Sequence, residues 1–225
     1  MSQSFSLSDS LSLGDLQVYL ARAGRVEDGS VRLVSAAGVL AVYTAILYPR
    51  GLLDSSPTVL GLRTFALTES VDLDVVVPVR SLSDRLVRLE AAVTDAAAPV
   101  AVTVPLQVSS VTWAGITPPR GGWTPHGSTQ PGILEDAARV GISEVASVIP
   151  TGTGEQIVQR VRSEVWGRPI EALDFVPAGA AFAAVSLGFL SADEPVQLFE
   201  TGPWTRLSTA RGHILVRRKP WTLRP

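Results

Sequence analysis

The apolar positions along the chain change period several times, and each change marks an expected element. Leu13, Leu16, Val18 and Leu20 give one apolar side to a helix over 13–23, which Gly24 is expected to end. From Val31 to Val79 the pattern becomes that of strands. Residues 39–48 are rich in β formers, Pro49-Arg50-Gly51 stops them, and 58–67 and 71–79 read as further strands of an antiparallel meander. Ser81-Leu82-Ser83-Asp84 then opens a second helix in capping-box style, with Leu82, Leu86, Leu89 and Val93 along one face. Residues 99–113 return to strand character, Val100, Val102 and Val104 alternating.

The second half reads as more helical. Pro131 suits a first helical position, and Leu134, Ala138, Ile142, Val145 and Ile149 recur as an inward face. Thr153 with Gln156 caps a following helix whose Ile157, Val161 and Val165 repeat every four residues until Gly167 and Pro169. The apolar run 175–190 is broken by Pro177, Gly179 and Ser186 and is shorter than a bilayer-spanning helix needs, so it is expected to be a buried helix. Short strands over 196–199, 204–208 and 213–217 close the chain. The fold class is therefore α+β. A β-rich part spans 1–116, a Pro/Gly-rich linker or functional loop 117–130, and a helical part with C-terminal strands 131–225.

Composition narrows the chemistry. Hydrophobic residues make up 46% of the 225 and charged residues 18%, with a net charge of -2, which excludes a disordered chain. With no cysteine and two histidines, thiolate catalysis and a cysteine-ligated metal are excluded, and neither a metal nor a cofactor is expected. Lys219 is the sole lysine, so a Schiff base or phosphate-loop lysine has one candidate near the end of the chain. The serine-rich start carries Asp9 and Asp15 where a signal peptide would be basic and then apolar, so a cytoplasmic protein is expected. The Trp113 to Trp123 segment WAGITPPRGGW and the Gly202 to Arg218 segment GPWTRLSTARGHILVRR resemble uncharacterised proteins of high-GC Gram-positive bacteria. That resemblance implies a bacterial origin and no activity.

Candidate sites are few. In the loop over 117–132, Arg120 offers a planar cation for carboxylate or phosphate, Gly121 and Gly122 allow close backbone approach, Trp123 offers a stacking face and His126 can move a proton. The same residues also suit a stiff linker. Arg211-Gly212-His213 repeats the arginine–glycine–histidine order, and if the last strands fold back, His126 and His213 with Arg120 and Arg211 would share one anion-binding cleft; a plain turn is the alternative. Asp72 and Asp74 can be a cation site or a solvent-facing edge, and 151–155 a capped helix start rather than a phosphate loop. The basic end of the chain, five arginines and one lysine from Arg206 onward, pairs more simply with acidic helices than with nucleic acid, which is not expected as a partner. High apolar content with few charges points to a non-catalytic interaction protein acting as a homo-oligomer, without membrane. An enzyme or binder of an anionic small molecule is the alternative.

Overall fold

The computed structural model describes residues 3–27, 29–51, 54, 56–108, 111–148 and 154–217. Helix and strand take 37% and 35% of the described residues, so the fold is α+β. It divides into two compact units, Met1–Ala45 with Leu62–Gly115, and Ile46–Gly61 with Ile116–Pro225. Among the described residues no helix is long and apolar enough to cross a membrane.

In the first unit, β1 (Ser4–Leu7) and β6 (Val100–Thr103) form an antiparallel ribbon. Helix α1 (Ser10–Val26) starts at Asp9, whose Oδ1 accepts from the Ser12 amide at 2.7 Å. It runs through Gly24 and closes where the Glu27 amide reaches the Ala23 carbonyl, so Gly24 does not end it. A Cβ at Gly24 would make only an ordinary contact with Val79, at 3.7 Å, so packing does not demand glycine there.

Strands β2 (Ser30–Ala36) and β3 (Val39–Leu47) pair antiparallel across a two-residue turn in which Ala37 has φ 52° and Gly38 φ 78°. That is the hairpin turn whose twist matches paired strands. Strand β4 (Thr58–Ala66) lies beside β3, but β5 (Leu73–Pro78) returns to pair with β2. Strands β2, β3 and β4 lie side by side in the expected meander, and the return of β5 to β2 makes the order β5-β2-β3-β4 that of a Greek key. Val31 and Leu33 of β2 are fully buried, and β5 brings Val77 and Val75 opposite them. Helix α2 (Val79–Ala92) begins directly after Pro78 without a side-chain cap, so Ser81 lies inside its first turn. Tyr19 is buried, its hydroxyl 2.8 Å from the Thr44 hydroxyl.

In the second unit the strand order is β4-β12-β11-β10-β7. β10 (Val196–Thr201), β11 (Trp204–Thr209) and β12 (Gly212–Arg217) form successive antiparallel pairs, and β7 (Thr124–Thr129) pairs with β10. Residues 124–129 are thus strand within the segment that reads as linker or loop. Helices α3 (Pro131–Val148), α4 (Glu155–Gly167) and α5 (Ala178–Leu187) pack with one another, and β8 (Pro169–Ile170) and β9 (Leu173–Pro177) form a short ribbon before α5. Residues 175–177 belong to that ribbon, and the helix after them is apolar all round and largely buried.

Trp166 is fully buried, stacks on Phe182 at 4.4 Å between ring centroids, and lies over Gly141 of α3. The inward face of α3 is accordingly Pro131, Leu134, Ala138 and Gly141, while Ile142 is exposed. The indole occupies the volume that a larger side chain at the inward position would need. On α4 the inward residues are Val165 and Trp166, Ile157 is exposed, and Gly154 is the N-cap; the expected cap at Thr153 and the position of Ile149 lie outside the described residues.

Candidate functional site

The register of the second unit's sheet decides which side chains meet. His213 stands opposite Ser208, Ser208 opposite Gln197, and Gln197 opposite Ser128, so these four share one face, together with Phe199 and Arg206. Leu198, Leu207 and Ile214 project to the other face and are buried.

Arg206 is the centre of the first face. Its guanidinium carbon lies 4.4 Å from the ring centroid of Phe199, its direct cross-strand partner, and 4.6 Å from that of Trp123. Trp123 is anchored by its indole N–H, which donates to the Pro119 carbonyl at 3.1 Å. The Arg206 Nε is buried and has no hydrogen-bond partner among the described residues. Burial holds this guanidinium below its ordinary pKa. His213 places Nδ1 2.9 Å from the Ser208 hydroxyl, and burial first, then the positive charge of Arg206, lowers its pKa from 6.5.

His126 lies elsewhere. The β7–β10 pairing shifts between Leu198 and Phe199, so His126 and Gly127 together oppose Leu198. Such a bulge turns His126 toward the face of Leu198 and Glu200. There its Nδ1 is 3.5 Å from a Glu200 carboxylate oxygen and its ring meets Phe175 edge-on at 4.5 Å. His126 and His213 are therefore on opposite faces, and the shared cleft expected for them does not form. Arg211 is engaged with the end of α5, donating to the carbonyls of Leu190 at 3.2 Å and Gly188 at 3.5 Å, a usual place for a cation at a helix C-terminus. Arg120, Gly121 and Gly122 are exposed. Of the expected ligand-binding residues, Trp123 alone belongs to the Arg206 cluster.

The remaining candidates resolve simply. Asp74 is held in a two-pronged pair by Arg32, Nε to Oδ1 and Nη2 to Oδ2 both at 2.7 Å, while Asp72 precedes β5. Among the described residues no three histidine, aspartate or glutamate side chains gather as metal ligands. The loop over 151–153 and the basic end over 218–225 lie outside the described residues. A cavity of about 380 Å³ opens between α3 and α5, lined by Glu135, Arg139, Ile142, Ser143, Val185 and Leu190, and none of the expected site residues reaches it. Arg206 and Phe199 were missed because neither stands in a motif. Their strand alternation was visible, and it places them on one face once β10 and β11 are paired.

Two family models match the chain. Residues 1–106 match a domain of unknown function (DUF8010), and residues 118–221 match another domain of unknown function (DUF8185). No curated protein sequence matches. Among solved structures, the chain is similar to a DNA polymerase sliding clamp from Caulobacter crescentus at 12% identity and a TM-score of 0.51, over 98% of this chain and 67% of that one. It is also similar to a candidate DNA polymerase III beta subunit from Eubacterium rectale at 8% identity and a TM-score of 0.50, over 98% and 66%. The chain thus spans about two thirds of the length of the clamp chains whose fold it shares.

Proposed function

We propose that this chain is a non-catalytic protein-interaction component with a sliding-clamp-like fold that works as a homo-oligomer. The observation that carries this reading is the likeness to sliding clamps over nearly the whole chain. The surface of the second unit supports it: Ile133, Val140, Ile142 and Val148 of α3 and Val185 of α5 are large apolar side chains left exposed, and apolar surface of that kind is stabilised when another protein covers it. A two-unit chain spanning two thirds of a matched chain is also a natural building block for a larger assembly.

The sequence argued against nucleic acid as a partner, and the likeness gives that exclusion no support, because the similar proteins are sliding clamps of a DNA polymerase. Charge separates the helices in this respect. Helix α3 carries Glu135, Asp136 and Glu144 against Arg139, the wrong sign for following phosphates, whereas α1 and α2 carry Arg22, Arg25, Arg80, Arg85 and Arg88 against Asp15, Asp84 and Glu90. We read α3 as a surface for protein. Light scattering on the purified chain tests the assembly: a mass at a multiple of 23.8 kDa is expected, and a monomer at every concentration removes the reading.

A further inference from the structure

Arg206 presents an uncompensated cation on a built aromatic support. A guanidinium is a flat group with five N–H donors around its rim, and aromatic rings attract it through their faces. Phe199 and Trp123 take that role at 4.4 and 4.6 Å, and Trp123 is itself fixed by its bond to the Pro119 carbonyl. Among the described residues Arg206 makes no ion pair and no hydrogen bond, and its Nε is shut away from water. A half-buried charge without a counter-charge is unfavourable, so the arrangement is best explained by an acceptor that arrives from outside.

We propose that Arg206, Trp123 and Phe199 form a docking site for a carboxylate carried by an acidic peptide segment of a protein partner. The charge count selects carboxylate over phosphate. One arginine supplies one positive charge, and His213 beside it is kept neutral near pH 7 by burial, whereas a phosphate dianion is usually held by more than one cation. The planar fork of Arg206 matches the two oxygens of a carboxylate, and the two rings offer apolar surface to the residues flanking it. This site stands independently of the oligomeric reading, since it needs only the second unit's sheet.

The test is NMR of the full chain, following the Trp123 indole N–H and the Arg206 Nε–H. The probes are a blocked glutamate-phenylalanine-glutamate tripeptide, its glutamine counterpart, succinate, and inorganic phosphate. The expected result is a saturable shift with the glutamate peptide at a Kd on the order of 1 mM, no response to the glutamine peptide, and weaker binding of succinate and phosphate. R206K keeps the charge but loses the fork, and should weaken binding about tenfold. Trp123→Phe, which keeps an aromatic face and follows the site through the His213 ring signals, should bind within a few-fold of the parent chain. Absence of a saturable shift, unchanged affinity in R206K, or equal response to the glutamine peptide would overturn the site. Tighter binding of phosphate would overturn the carboxylate, and equal binding of succinate would overturn the peptide as its source.

Discussion

A Cβ added to Gly141 would lie 2.3 Å from Cζ3 of Trp166, closer than any real contact between such atoms. Trp166 cannot withdraw easily, since its ring stacks on Phe182 and its own backbone carbonyl lies 3.0 Å from where a Cβ at Gly179 would stand. Gly141→Ala should therefore destabilise the protein by about 2 kcal/mol or more, although alanine is the better helix former by about 1 kcal/mol. Urea unfolding measures the difference. An unchanged midpoint would mean that α3 and α4 are not packed in this way.

The second prediction concerns acid. His213 has a lowered pKa in the folded chain, so the unfolded chain binds the proton more readily. Stability from this residue is whole above the unfolded value of 6.5 and is lost as pH falls from there toward the lower native pKa. Replacing His213 with glutamine, which keeps a polar partner for Ser208, should flatten that part of the stability profile. A C2-proton titration of His213 at the ordinary midpoint would contradict the burial described above.

Ala37 offers the opposite kind of change. At φ 52° it holds a left-handed conformation that its Cβ disfavours, next to Gly38 in the same turn. Ala37→Asn creates the asparagine–glycine pair that such hairpin turns prefer, and should raise stability by roughly 0.5 kcal/mol. Thermal unfolding reads this directly, and a lowered midpoint would show that the turn is set by something other than its backbone.

Legibility in the sequence followed the physical signal each element leaves. Strand β10 and helix α3 stood out because their burial repeats at the period of the element, and β11 and β12 because short runs of β formers lie between turn residues. Strand β7 left no such signal: Thr124-Pro125-His126-Gly127-Ser128-Thr129 is exposed at five of six positions and carries a proline and a glycine, so only its hydrogen bonds to β10 make it a strand. The candidate site failed for the same reason. Whether His126 and His213 meet depends on a bulge that shifts one register, and a bulge is invisible until the partner strand is known. Trp123 was singled out for its stacking face, and its partner is Arg206, distant in sequence and joined to it through sheet pairing.

The division of the chain bears on how it is made. Residues 46–61 interrupt the first unit yet belong with the second, while the two family models divide the sequence into consecutive stretches. A gene cut between 115 and 116 would thus yield a downstream fragment without the opening of β4, leaving β12 with a free edge along its buried residues Ile214, Leu215 and Val216. On the ribosome the same interleaving imposes an order. The excursion through 46–61 emerges early, whereas β12, the strand beside β4 in the second unit, is synthesised about 150 residues later. The nascent protein must keep those early residues from mispairing until β12 arrives.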